Sequence, residues 1–369
     1  MRQSGETGSQ SPRVVHVIAP ARYGGAESVT ATLATGWLQR GGGGVAALMA
    51  SPDSGRFVAR VRNAGVPVWE IRARARAYLT EVRRLRDLLR RQNADVVHTH
   101  VYRADAVGYL AARSTGLPVV ATVHGFTGGD WKNRAYQRFD RWLLRRFDAI
   151  ACVSPALVRQ LLQLGAHPER VRWVPNVPGG SVPYSRHAAR KVLGLRAQER
   201  AVGWVGRLSP EKAPDRFLAA LELLDPSYVG VVIGDGPLRQ DLAGHATRLG
   251  SRARLMGSVE DADRLLPAFD VVVLSSRTEG TPMVVLEAMR CAVPVVSFAV
   301  GGIPDVLQGL GWLVTPGDIE GLAGAIAEVL ERPEETARRA AIGQARIRER
   351  FGMQQWLDAY DELYGLAAT

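Results

Sequence analysis

The chain has 369 residues, 46% hydrophobic and 22% charged, with a formal net charge of +11; this length exceeds what one core usually serves and predicts two domains. Its two cysteines, Cys152 and Cys291, lie in apolar surroundings, which excludes a disulfide framework or zinc site and fits a reducing, cytoplasmic compartment. The opening residues 1–12 form a polar tail expected to be disordered, without an apolar signal core, and no later run approaches about 18 apolar residues, so neither export nor a membrane span is expected.

Residues 13–18 read as a strand, followed by Gly24-Gly25-Ala26-Glu27 and a helix to about Arg40. Strand, glycine pair and helix make a phosphate-approach arrangement, because glycine lets backbone come close to a ligand. The glycines at 41–44 imitate part of a Gly-x-Gly-x-x-Gly dinucleotide fingerprint, but they end a helix and precede a strand at 45–49, so they read as a turn. That absence argues against a Rossmann oxidoreductase. Further strands are predicted at 66–71, 95–98, 118–123, 149–153 and 171–174, with helices between them. Arg83, Arg84, Arg86, Arg90 and Arg91 surround Leu85, Leu88 and Leu89 at helical spacing, which reads as the solvated face of a packed helix. Apart from Lys132, Lys191 and Lys212 the basic residues are all arginine, spread through the chain, so charge by itself is the sole pointer to nucleic acid and none is expected as a partner. His98 and His100 share a strand face without acidic or cysteine company and are expected to be structural. The strand at 118–123 runs into His124-Gly125-Phe126, and a basic amphipathic helix follows over 132–147.

Pro175-Asn176-Val177-Pro178-Gly179-Gly180 and the residues after it break both periodicities. The resulting boundaries are 13–177 for a first Rossmann-like domain, 178–190 for a linker and 191–351 for a second Rossmann-like domain. A final helix at 352–366, with Trp356 and Tyr360 on one face, is expected to return to the first domain. Strands in the second series fall at 202–205, 228–233, 254–256, 270–274, 293–298 and 312–314. The first ends in Gly206-Arg207-Leu208-Ser209-Pro210-Glu211-Lys212, where two cations on the exit loop suit a diphosphate leaving group. Asp261-Ala262-Asp263 matches the metal-binding Asp-x-Asp pattern, but acids are favoured at a helix start in any case, and no metal site is assigned.

The chain is organised around the segment after the strand at 270–274, which carries Glu279, Gly280, Thr281, Pro282, Met283, Val284 and Glu287. Pro282 suits the first turn of a helix and Thr281 its cap. The free N–H groups and dipole of such a helix start receive an anion. On one continuous helix Glu279 and Glu287 would diverge by roughly 80°. With Glu279 on the loop, both converge on a ligand held over the helix start. An anion site flanked by two carboxylates suits a sugar nucleotide.

Taken together these residues resemble the retaining glycosyltransferases of family 4, whose GT-B fold is α/β: two Rossmann-like doubly wound parallel-sheet domains facing an interdomain cleft. The resemblance rests on Gly24-Gly25-Ala26-Glu27, His124-Gly125, Gly206-Arg207 with Lys212, Gly234-Asp235-Gly236-Pro237, Glu279 and Glu287 running into Ala288-Met289, and Gly301-Gly302-Ile303-Pro304-Asp305. It implies that Arg207 and Lys212 contact the diphosphate of a UDP- or GDP-sugar, Glu287 the ribose hydroxyls and Glu279 the transferred sugar. The backbone from Gly280 to Met283 and on to Val284 would meet sugar and phosphate, Gly24 and Gly25 would close from the other domain, and His124 would sit beside the sugar. It also implies a metal-independent hexosyltransferase that retains anomeric configuration, since cations and the helix end replace a metal. Departures are Ala213 and Val177 where glycine is usual, Arg290 and Ala292 in the run after Glu287, and Asp305 for glutamate. A non-catalytic nucleotide-sugar-binding module is the alternative. The acceptor, read by residues 126–134, is left open between a lipid-linked or polysaccharide precursor and a soluble aglycone such as an aminocyclitol. Trp131, Arg134, Arg138, Arg141 and Arg145 are candidates for peripheral contact with an anionic membrane at its inner face.

Overall fold

The computed structural model describes residues 11–20, 24–49, 54–74, 77–125 and 131–368. Most of the tail, and residues 126–130 of the expected acceptor loop, lie outside the described residues. Thirteen strands are described: β1 (Val14–Ile18), β2 (Gly43–Met49), β3 (Val68–Arg72), β4 (Val96–His100), β5 (Val119–Val123), β6 (Ala149–Cys152), β7 (Val171–Trp173), β8 (Arg200–Val205), β9 (Tyr228–Ile233), β10 (Ala253–Gly257), β11 (Val271–Leu274), β12 (Val295–Phe298) and β13 (Trp312–Val314). Most are short β-branched runs buried on both faces, as parallel strands covered by helices must be.

The strands form two parallel sheets, ordered β3-β2-β1-β4-β5-β6-β7 and β10-β9-β8-β11-β12-β13. In each, the order reverses beside the first strand, at β1/β4 and at β8/β11. Connections leaving the two strands at a reversal run to opposite sides of the sheet, which opens a crevice at the carboxyl ends. The loops carrying Gly24, Gly25 and His124 leave β1 and β5; those carrying Arg207, Lys212, Glu279 and Gly280 leave β8 and β11. Fold topology therefore places the candidate residues along the two crevices.

Several local expectations are corrected. Gly43 and Gly44 belong to β2 and not to a turn. Gly43 has φ +122, and a Cβ there would overlap the carbonyl of Val14, so the close β1–β2 pairing needs glycine at that point. The segment expected as linker over 178–190 is helical from Arg186, within Arg186–Val192. Arg190 on that helix is buried and donates to the carbonyls of Ala268 and Arg196, which fastens the segment to the second lobe.

The last helix, Met353–Ala368, packs on β5, β6 and the helix Gly25–Leu38 of the first lobe. Trp356, Tyr360 and Tyr364 are buried beneath it. Tyr364 meets Trp37 edge-on at 4.7 Å, and Arg40 pairs with Asp358 at 2.6 Å. Among the described residues no helix is long and apolar enough to cross a membrane.

Candidate active site

Lys212 and Glu279 meet. The Lys212 ammonium donates to both carboxylate oxygens of Glu279, at 2.6 and 2.7 Å. Ser276 donates a third hydrogen bond to Oε1 at 2.6 Å, so Glu279, nearly buried, is held in one orientation. Two loops are stitched together to bring this about. Arg277 donates its backbone N–H to Glu211 O (2.7 Å) and its Nε to Pro210 O (3.1 Å). Ser275 accepts from Trp204 Nε1 and donates to Ala213 O, tying the end of β11 to the exit of β8. The side chain of Arg207 is exposed on the same β8 exit loop.

The helix Met283–Arg290 starts just beyond. Its N-cap is Pro282, with no side-chain cap, so the first N–H groups keep their capacity for an external acceptor. Thr281 is not the cap. Its hydroxyl donates instead to Val153 O of the first lobe at 2.5 Å, and Asn176 Nδ2 donates to Thr281 O at 3.1 Å. A buried hydroxyl beside an unpaired carbonyl is better satisfied across the seam than by a helix N–H that can face a ligand. Met283 is buried and touches the opposite wall: a Cβ at Gly25 would stand 3.9 Å from its Cγ. Gly24 caps the helix Gly25–Leu38, again without a side-chain cap. Two bare helix starts therefore face one gap.

Gly280 closes that gap from the second lobe. A Cβ there would overlap the carbonyl oxygen of His124, and one on Gly125 would stand 3.5 Å from Gly280 N. The His124 carbonyl thus abuts the Glu279 loop.

Glu287 lies one turn into the same helix, near Asp263, Arg290 and Arg60. Burial first, then the charge of Asp263, push its carboxyl up to about 7, while Arg290 and Arg60 pull it down. The two acids of the Asp-x-Asp pattern hold arginines: Asp261 pairs with Arg60 of the first lobe at 3.0 Å, and Asp263 with Arg290 at 3.5 Å. Arg290 also donates to Gly179 O, so this departure from the family pattern ties the end of the helix Met283–Arg290 to the segment between the domains.

Between the lobes, a cavity of about 190 Å³ is lined by Arg141, Ser154, Gln160, Thr278, Glu279 and Gly301 among others. Arg141, a candidate for membrane contact, lines this cavity. A larger cavity, about 430 Å³, lies at the amino ends of β11 and β12 against Phe269, Cys291 and Pro294, away from these groups. Sequence reasoning missed Ser276, Asn176 and Gln160. For Ser276 a signal existed, since it stands three residues before Glu279 on the same turn; the others depend on contacts between lobes.

Known proteins bear on this geometry. The model for glycosyl transferases group 1 matches residues 199–332, and that for glycosyltransferase family 4 matches residues 23–177. A D-inositol 3-phosphate glycosyltransferase of Mycobacterium sp. (strain KMS) is 34% identical over 278 residues, 68% of this chain and 62% of its own length. This chain therefore spans under two thirds of that relative. The corresponding enzyme of Saccharomonospora viridis is 32% identical over 73% of this chain and 69% of its own length. An Escherichia coli UDP-Gal:alpha-D-GlcNAc-diphosphoundecaprenol alpha-1,3-galactosyltransferase is 30% identical over 66% of this chain and 68% of its own. The crystal structure of Anabaena Alr3699/HepE in complex with UDP-glucose superposes with a TM-score of 0.84 at 24% identity, covering 95% of this chain and 98% of that one. That likeness speaks to the fold.

Proposed function

This chain belongs to the family 4 glycosyltransferases, and from that premise we propose that it transfers a sugar from a nucleoside diphosphate donor to a hydroxyl acceptor with retention of anomeric configuration. The observation that carries the reading is the Lys212–Glu279 pair beside the bare start of Met283–Arg290, where Met283 meets Gly25 and Gly280 meets the His124 carbonyl of the other lobe.

The diphosphate sits over the helix start, where N–H groups and dipole receive it. Arg207 and Lys212 neutralise the charge that develops as the anomeric C–O bond breaks. These groups do the work of a metal, and none is required. Lys212 is held on Glu279 in the free protein, so its cation is poised between the sugar-binding acid and the phosphate. Glu279 accepts from hydroxyls of the transferred sugar and Glu287 from those of the ribose. The acceptor oxygen attacks from the face the diphosphate leaves, and its proton passes to the departing phosphate oxygen. Lobe closure excludes the water that would otherwise hydrolyse the donor. A UDP-sugar is favoured over a GDP-sugar, because the E. coli relative is named for UDP-Gal. The cavity beside Glu279 receives the acceptor, with Arg141 and Gln160 as its polar wall.

A membrane-borne acceptor is a second reading, supported by one surface. On the helix Trp131–Leu144, Tyr136, Phe139 and Trp142 are 52%, 51% and 45% exposed. Arg138, Arg145 and Arg146 are exposed around them, and Arg146 lies 3.6 Å over the Trp142 ring. The side chains of Trp131 and Arg134 lie outside the described set.

A thermal-shift panel of nucleotides and sugar nucleotides tests the reading. UDP and one UDP-sugar should raise Tm, and slow donor hydrolysis should appear without acceptor. Binding without hydrolysis would mark a non-catalytic module; no response to any nucleotide would refute the site.

A further inference from the structure

His124 does not stand by itself in the first lobe. Its Nε2 lies 3.3 Å from Nδ1 of His100, and Nε2 of His100 lies 3.3 Å from Nδ1 of His16. The line thus runs from His124, just past β5, through His100 at the carboxyl end of β4, to His16 in the middle of β1. At its two ends, Nδ1 of His124 and Nε2 of His16 are closed to solvent and have no partner among the described residues. Burial pushes the His124 imidazole down to about 4 and that of His16 to about 3, and holds His100 well below its ordinary value. All three rings are therefore neutral, with one N–H each.

That proton count has a consequence. Each N···N link needs one donor and one acceptor, so the three rings must all carry hydrogen on Nδ1 or all on Nε2. In the second case His16 would keep an unsatisfied N–H in a dry interior. In the first, a bare lone pair is left there, and the unsatisfied N–H falls on His124, which is half-buried and whose carbonyl abuts Gly280 of the other lobe, so that a ligand entering between the lobes can supply the acceptor. An orphaned buried N–H is the rarer and costlier arrangement.

From this geometry we infer that His100 and His16 are positioning residues: they hold His124 in its Nδ1–H form, so that its ring donates to the substrate. The inference rests on the reading of His124 as part of the sugar site.

The same cluster offers a competing use. Ring nitrogens of His16, His98 and His100 lie within 4.8 Å of one another, near enough for a metal ion. Two features disfavour it. His98 commits Nδ1 to the Tyr364 hydroxyl and Nε2 to that of Thr122, both at 2.8 Å. Its ring also stacks on His100 at 4.3 Å and 33°, which does not aim their lone pairs at one point.

Imidazole nitrogen NMR on the isotopically labelled full chain reads which nitrogen of each ring is protonated. His16, His100 and His124 should all carry hydrogen on Nδ1. His100→Asn keeps an amide N–H where the ring had Nδ1–H, and should hold His124 in that form with kcat within about threefold. His100→Leu removes the donor; His124 should then populate both forms and kcat fall about tenfold at unchanged donor KM. Both variants lose packing alike, so a merely structural role predicts equal losses, and that result overturns the inference. So does His124 protonated on Nε2, or a stoichiometric metal purifying with the chain. Undiminished turnover by His124→Ala overturns instead the sugar-site reading on which the inference rests, whatever the ring forms.

Discussion

Replacing Ala292 by glycine should stabilise the protein, and replacing Ala213 should not. Both alanines stand where the family pattern has glycine or a small residue, and both adopt left-handed backbone, with φ +53 and +47. Ala292 follows Met283–Arg290 in a Schellman ending: its N–H bonds Met289 O at 3.0 Å, and that of Val293 bonds Ala288 O at 2.9 Å. A left-handed conformation costs a residue with a Cβ about 1–2 kcal/mol. Glycine removes that cost but loses about 0.5–1 kcal/mol more chain entropy on folding. The third contribution is the methyl group, about 0.8 kcal/mol when fully buried. Ala213 is 0% exposed and forfeits all of it, so its substitution should come out near zero or slightly destabilising. Ala292 is partly exposed and forfeits a fraction, leaving a gain of about 0.5 kcal/mol. Urea denaturation followed by tryptophan fluorescence, at unchanged m-value, measures the difference. Loss of stability in Ala292→Gly, or equal gains at both sites, would refute this balance of strain against burial.

Three further outcomes are expected. Arg207→Ala and Lys212→Ala should each cost on the order of 3 kcal/mol of transition-state stabilisation, read as kcat/KM with the preferred donor; full turnover by the double variant would remove both from the mechanism. Glu287 has its folded pKa raised from 4.5 to about 7, so the folded state holds the proton more tightly and stability falls as pH rises between those values. Glu287→Gln should flatten that stretch of the stability curve, and UDP affinity, which uses the ionised carboxylate, should improve with pH through about 7 in wild type but not in the variant. Replacing Tyr136, Phe139 and Trp142 together by serine should abolish flotation with anionic vesicles while leaving Tm and UDP binding intact; flotation by wild type on neutral vesicles as well would contradict the charge argument.

Short β-branched runs made the strands legible, and the glycine-loop-helix punctuation made the two lobes legible. Strand alternation also put His98 and His100 on one face. What could not be read was register between distant segments. His16 meets His98 through the pairing of β1 with β4. Thr281 was assigned to a cap because threonine favours that position locally, whereas an acceptor 128 residues away in sequence, Val153 O, wins in the folded chain. Arg141, a candidate for membrane contact, lines the cavity instead, because successive helix residues are turned about 100° from one another and only the packing of the two lobes decides which of them meets the cavity. Glu279 and Lys212 were read correctly as neighbours along one sheet edge; that they touch follows from the stitching by Ser275 and Arg277, which no local pattern encodes.

The return of Met353–Ala368 to the opening lobe sets a timetable for biosynthesis. Everything from β1 to β7 leaves the ribosome first, yet the side chains that seal its inner face, Trp356, Tyr360 and Tyr364, are made last. At about 5–20 residues per second the intervening lobe delays them by roughly ten to forty seconds. During that interval His98 and Thr122, which bond to the last two tyrosines in the native protein, lie open to water, and the nascent chain is most exposed to capture by chaperones or to aggregation.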